Sequence, residues 1–245
     1  MVDVNQSVGV IVVAAGRGTR MGTKESKQYL MLDNKPIIMH TLEVFHQHPS
    51  IAQIVLVTGA SDIERCQAWV NQYGLETKVQ VVEGGNERQH SVYQGLRAIS
   101  TPWVLVHDGV RPFVASQHIT ACYEAAKETG AAVLAVPVKD TIKQVDEHGN
   151  VIATPKRESL WAIQTPQAFR YDMLLEAHES AMTAGFIGTD DAMLIERLGM
   201  TVKVAQGDYR NVKITTPDDL IYAEFVTRQG TNKEISNETN EGEIK

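Results

Sequence analysis

Residues 16–27 gather the groups that a polyphosphate site needs. Gly16, Gly18 and Gly22 stand among Arg17, Arg20, Lys24 and Lys27, and Glu25 is the segment's one acid. A short apolar run, Val8 to Val13, leads into it and stops at Ala14-Ala15-Gly16. Glycine lets backbone N–H groups approach phosphate oxygens, and the cations neutralise them. The whole chain has formal charge -7, so this cationic cluster is local. It is not a G-x-x-x-x-G-K-[ST] loop, because Gln28 follows Lys27. It is not G-x-G-x-x-G either, because the glycines are spaced two and four apart. A lone loop of this kind reads most simply as a Gly-rich turn with solvated charges. The Ala-Ala-Gly start, Arg20 and the Lys-Gln-Tyr-Leu end occurring together argue against that reading.

Three more constellations follow apolar runs. Gly84, Gly85, Asn86 and Ser91 permit close backbone approach to a flat ligand and offer polar contacts; taken alone, the segment reads equally well as a turn and helix cap. His107-Asp108-Gly109-Val110-Arg111-Pro112 ends an apolar strand with an acid. A carboxylate there suits Mg²⁺ if polyphosphate fills the first loop, and otherwise it serves a turn or cap. His107 reads as a satisfied sheet-end histidine, and Pro112 stiffens the turn to aim Arg111 inward. Farther on stand Thr141, Arg157, Thr189 and Lys213. Thr189 reads as a helix N-cap that could also bind, and Lys213 as an edge-strand lysine. No G-x-S-x-G elbow is present.

The elements that must position these residues alternate. Strands are predicted at 8–14, 53–58, 78–82, 103–107 and 131–137, and helices at 36–48, 61–73, 88–99 and 116–129. Pro36 fits a first helical turn, and Ser61 and Ser116 fit N-caps. Strand–helix alternation with near-continuous Val/Ile/Leu runs predicts an α/β domain: a mostly parallel central sheet with helices on both faces. Ligands of such sheets sit at the carboxyl ends of the strands. The alternation breaks at 138–160, where short β-like stretches flank a turn at Glu147–Asn150. This predicts a hairpin arm that must pack on something, most economically a second subunit. Segment 161–169 follows without an assignment. Then come helices near 171–184 and 190–198, a strand near 201–206 and a last helix near 217–228. The predicted organisation is one domain over 1–228, with the arm at 138–160, and a disordered polar tail at 229–245.

Composition excludes several classes. Hydrophobic residues make up 43% and charged residues 22%, as in soluble globular domains. A pI near 5.6 argues against a general nucleic-acid binder. No stretch approaches the apolar length of a membrane span, and residues 1–7 lack the pattern of a secretory leader. Cys66 and Cys122 form no C-x-x-C, so two buried, reduced thiols in a cytoplasmic protein are expected.

The ordered motifs AAGRGTRM…KQYL, GGNERQHSV, VLVHDGVRPF, VPVKDT, TPQAF, TDDA and NVKIT resemble the 2-C-methyl-D-erythritol 4-phosphate cytidylyltransferase family over roughly residues 8–228. The resemblance implies a Rossmann-like domain whose β-arm interlocks a homodimer. It implies transfer of a cytidylyl group from CTP to methylerythritol phosphate in the non-mevalonate isoprenoid pathway. By motif, Ala14, Ala15, Gly16 and Gly18 would begin the CTP loop, and Gly85, Asn86 and Ser91 would hold cytosine and ribose. Many relatives carry Asp where Asn86 stands. Arg20, Lys27 and Lys213 would act on the phosphates, and Asp108 would bind Mg²⁺. Arg111, Thr141, Arg157 and Thr189 would hold methylerythritol phosphate, some across the dimer. Some relatives have an acid where Arg210 stands, which leaves that position's role open. Two rivals share these features: a D-ribitol-5-phosphate cytidylyltransferase, which differs only in its acceptor pocket, and a non-catalytic nucleotide sensor.

Overall fold

The computed structural model describes residues 7–16 and 25–241, with side chains described as far as 229. Arg20 and Gly18 therefore lie outside the described residues. The central sheet has seven strands. In chain order they are β1 (Val8–Val13), β4 (Ile51–Thr58), β5 (Val79–Glu83), β6 (Trp103–Asp108), β7 (Ala131–Pro137), β10 (Trp161–Arg170) and β11 (Lys203–Gln206). Their spatial order is β11-β7-β10-β6-β1-β4-β5. All adjacent pairs are parallel except those made by β10, which runs antiparallel between β6 and β7.

The Val/Ile runs are central strands because both faces are covered. Along β1, Val10 and Val12 enter one core with Ile38, Leu42 and Phe45 of α1 (Ile37–Gln47), Cys66 of α2 (Ile63–Gln72) and Cys122 of α4 (Ser116–Thr129). Ile11 faces the other core. There it meets Val92 and Leu96 of α3 (Arg88–Ala98), Leu174 of α5 (Tyr171–Thr183) and Ile195 of α6 (Asp191–Arg197). This period-two division is what a strand buried on both sides requires. Burial pushes the Cys122 thiol up to about 12 and raises that of Cys66, so both are inert core groups.

Several local expectations need correction. Pro36 is not in the first turn of α1; it closes a two-strand hairpin, β2 (Met31–Leu32) with β3 (Lys35–Pro36), and occupies the N-cap. Helix α2 starts from Asp62, behind a 3₁₀ turn that takes up Ser61, and α4 starts from Ala115 with Ser116 already helical. Asp190, not Thr189, caps α6; its carboxylate accepts from Met193 N at 2.9 Å. The last helix, α7 (Pro217–Glu241), runs beyond 228 into the segment expected to be a disordered tail.

The arm is a hairpin of β8 (Gln144–Val145) and β9 (Val151–Ala153). Asp146 closes its turn by accepting from His148 N and Asn150 N, and Gly149 takes φ +81. Val145, Val151 and Ile152 on the arm are exposed. Among the described residues, no helix is long and apolar enough to cross a membrane.

Candidate active site

Two clefts open at the carboxyl ends of β1, β5 and β6, and they share one wall. The first holds a cavity of about 170 Å³. Ala14, Ala15 and Gly16 line one side, and Gly85, Asn86 and Ser91 line the other. Lys27 and Lys213 also reach it. The second cleft is lined by Arg111, Thr189 and part of β10. The shared wall is Arg88, Asp108 and Lys213.

The first cleft is shaped by backbone. Gln28, almost fully buried, donates its amide to Ala14 O at 2.7 Å and to Gly16 O at 3.0 Å. That closes the neck of the Gly-rich loop and fixes where Lys27 begins its 3₁₀ turn, Lys27–Tyr29. Opposite, Ser91 Oγ accepts from Gly85 N at 3.1 Å and donates to Glu87 O. The Ser91 hydroxyl therefore holds the 84–87 turn. A Cβ on Gly84 would lie 2.7 Å from Ala15 Cβ and 2.8 Å from Ser91 Oγ. Gly84→Ala is thus expected to cost about 1–3 kcal/mol of stability. A thermal melt reads this, and the displaced wall should raise KM for a ligand of this cleft more than it lowers kcat.

Asp108 is the electrostatic centre. Lys213 Nζ lies 2.9 Å from Asp108 Oδ2, Arg111 Nε 3.5 Å from the same oxygen, and Arg88 Nε 3.5 Å from Oδ1. Burial pushes the Asp108 carboxyl up, but Lys213, Arg88 and Arg111 outweigh burial and hold it well below the usual carboxylate range. Three cations meet Asp108, and Arg88 is shared with a second carboxylate, Asp191, so the cluster keeps one positive charge in excess, with Lys27 beside it at the first cleft. The reading of Lys213 as an edge-strand lysine facing solvent is overturned by this contact.

His107 is fully buried behind the acid. Its Nε2 lies 3.0 Å from Arg111 O, and its Nδ1 lies 3.1 Å from Thr165 Oγ1. A carbonyl can only accept, so Nε2 carries the proton. Thr165 accepts from Asp108 N at 3.1 Å and donates to Nδ1. Burial lowers the imidazole to about 4, so it stays neutral, as expected of a satisfied sheet-end histidine.

Four residues, Arg88, Asn211, Thr165 and Gln167, were given no role of their own by the sequence reading. Arg88 Nη1 sits 2.6 Å from buried Asp191 Oδ2, whose other oxygen meets His178 Nε2 at 3.0 Å. This core-side pair fixes the guanidinium that both clefts share. Asn211, buried, donates Nδ2 to Thr165 O at 2.8 Å, and its main-chain carbonyl accepts from Arg111 Nη1 at 2.7 Å. It thereby pins the irregular segment that carries Lys213. Thr165 and Gln167 come from β10. The sequence signal for Arg88 was its place in the GGNERQHSV motif, three positions after Gly85. Asn211 stood in the NVKIT motif, but its role was hidden because its partners are distant in sequence.

Thr141 and Arg157 are exposed at the arm and line neither cleft. Arg157 Nη1 donates to Lys139 O at 3.1 Å. Arg210 also faces solvent, paired with Asp208 at 2.9 Å.

Comparison with known proteins agrees with this geometry. Residues 8–229 match the family model described as 2-C-methyl-D-erythritol 4-phosphate cytidylyltransferase. A protein of that name from Alkaliphilus metalliredigens is 50% identical over 92% of this chain and 95% of its own. One from Bacillus velezensis is 51% identical over 89% and 95%. The crystal structure of 4-diphosphocytidyl-2C-methyl-D-erythritol synthase from Anaerococcus prevotii superposes with a TM-score of 0.82 at 30% identity, covering 91% of this chain and 99% of that one. A Thermus thermophilus cytidylyltransferase gives 0.74 at 34% identity over 91% and 99%. By this family match over nearly the whole chain and by these identities, the chain belongs to the 2-C-methyl-D-erythritol 4-phosphate cytidylyltransferase family.

Proposed function

We propose that the protein transfers the cytidylyl group of CTP to 2-C-methyl-D-erythritol 4-phosphate, releasing pyrophosphate and 4-diphosphocytidyl-2-C-methyl-D-erythritol. The observation that carries the reading is the shared wall. A nucleotide in the first cleft and a phosphorylated acceptor in the second meet at Arg88, Asp108 and Lys213.

An oxygen of the acceptor phosphate attacks the α-phosphorus of CTP; one P–O bond forms, and the bond to the β-phosphate breaks. The nucleophile is already an anion, so no general base is needed. The barrier is repulsion between anions plus charge building on the pentavalent centre. Lys27, Lys213 and Arg88 meet that charge with preset cations. Arg20 is assigned to the triphosphate by motif alone. Arg111 and Thr189 face the acceptor from the second cleft.

Asp108 fits a divalent cation: it is a hard oxygen donor kept ionised. Among the described residues no three His, Cys, Asp or Glu side chains form a metal cluster. A Mg²⁺ held by Asp108 would therefore take phosphates and water as its other ligands, its usual mode, and would neutralise charge on the transferring group.

The arm supports a homodimer. Its exposed Val145, Val151 and Ile152 need cover, and Thr141 and Arg157 stand outside this protomer's clefts. In a dimer they would complete the partner's acceptor site. A soluble, cytoplasmic enzyme is consistent with this reading.

Phosphorus NMR of a reaction holding CTP, Mg²⁺ and methylerythritol 4-phosphate tests the chemistry. Paired diphosphate doublets of the product together with free pyrophosphate are expected. Release of inorganic phosphate or CMP alone would overturn it.

A further inference from the structure

The second cleft is polar except at one place. Among its described lining residues, Ile163 is the only apolar side chain. It is 44% exposed and belongs to none of the three apolar clusters that make the core. Its polar neighbours on β10 are already committed. Gln164 donates to Asp208 O at 2.9 Å, Thr165 is shared between Asp108 N and His107, and Gln167 bridges Asp190 and Ala192 N. Beside the polar contacts of Arg111, Thr189 and the shared wall, the described lining therefore offers an acceptor one apolar contact, the Ile163 side chain.

From this juxtaposition we propose that Ile163 is a specificity-determining residue that packs the branch methyl of a methyl-branched polyol phosphate. The inference rests on the reading of the site given above. Strand geometry supports it. Ile163 stands two residues before Thr165 on β10 and lines the same cleft, and Thr165 is bonded to the main chain of Asp108 at 3.1 Å. An acceptor whose phosphate meets the Asp108 cluster therefore extends its carbon chain toward Ile163. A hydroxyl-only polyol phosphate would leave this side chain against water or polar groups. A methyl branch covers it.

The test compares kcat/KM for 2-C-methyl-D-erythritol 4-phosphate and D-erythritol 4-phosphate, which lacks only the methyl. A methyl group in an apolar contact is worth roughly 10–200-fold. The unmodified protein is expected to prefer the methylated acceptor within that range. Ile163→Ala should lose most of the preference, chiefly through the methylated substrate, while KM for CTP stays in place. Ile163→Leu should keep most of it. An unchanged ratio in Ile163→Ala would overturn the proposal. So would a shift from dimer to monomer in sedimentation, accompanied by equal losses on both acceptors, because Ile163 would then serve an interface. No turnover of either acceptor by the unmodified protein would instead overturn the activity reading itself.

Discussion

Lys213→Ala is expected to lower kcat by about 10²–10³, the usual loss when one preorganised donor to a developing oxyanion is removed. Its Nζ lies 2.9 Å from Asp108 and reaches both clefts, which under the proposed function is where the transferred phosphate would sit. The first cleft keeps its backbone wall at Ala14–Gly16 and Gly85, so KM for CTP should change little. Steady-state kinetics with both substrates varied separates the cases. An unchanged kcat with a raised KM would make Lys213 a binding residue only.

Asp191→Ala should destabilise the fold more than Gly84→Ala does. The carboxylate is 1% exposed and joins Arg88 at 2.6 Å to fully buried His178 at 3.0 Å. Removing it strands both partners. Breaking a buried pair costs about 3–5 kcal/mol, and for a chain of this size that lowers Tm by roughly 10 °C. The sign of its pH dependence follows from its surroundings. Burial pushes the Asp191 carboxyl up, but Arg88 and His178 outweigh burial and leave it below its ordinary value. A folded-state value below the unfolded one stabilises the fold above the ordinary carboxylate range, near pH 4, and that stability is lost as pH falls toward the folded value. The difference in Tm between Asp191→Ala and the unmodified protein should therefore be flat from pH 7 to about 5 and narrow below about 4. A difference that widens on acidification would contradict the ion-pair reading. Weaker activity at temperatures well below Tm is also expected, since Arg88 loses its rear support.

How far the molecule was legible depends on locality. The parallel strands could be read because Val8–Val13, Ile51–Thr58 and Trp103–Asp108 are largely apolar runs that need cover on both faces. The ligand-binding edge followed from them, since Ala14, Gly85 and Asp108 stand at or just past the ends of such runs. Strand β10 was not legible. Gln164, Thr165, Pro166 and Gln167 interrupt its apolar pattern, and a central strand seldom tolerates proline except at a bulge. The register does shift between Ile163 and Gln167, and the polar side chains there are satisfied by groups far away in sequence. Because β10 brings Thr165 to Asp108, everything that depends on that contact was hidden as well: the second cleft, the role of Asn211 and the exposure of Ile163. Arg88 was hidden for the same reason, since its partners Asp108 and Asp191 come from separate elements. The cap errors have a simpler cause. Ser61 and Ser116 have the right chemistry for N-caps, but the chain enters each helix one residue away.

Pyrophosphate release from CTP and Mg²⁺, measured with 2-C-methyl-D-erythritol 4-phosphate and D-ribitol 5-phosphate as parallel acceptors, is the most direct test of the central claim. Rapid release with the methylerythritol compound and little with ribitol phosphate is the expected result. Release with ribitol phosphate alone would keep the clefts and the chemistry but contradict the assigned acceptor. Silence with both would contradict a transferase and leave a nucleotide-binding protein.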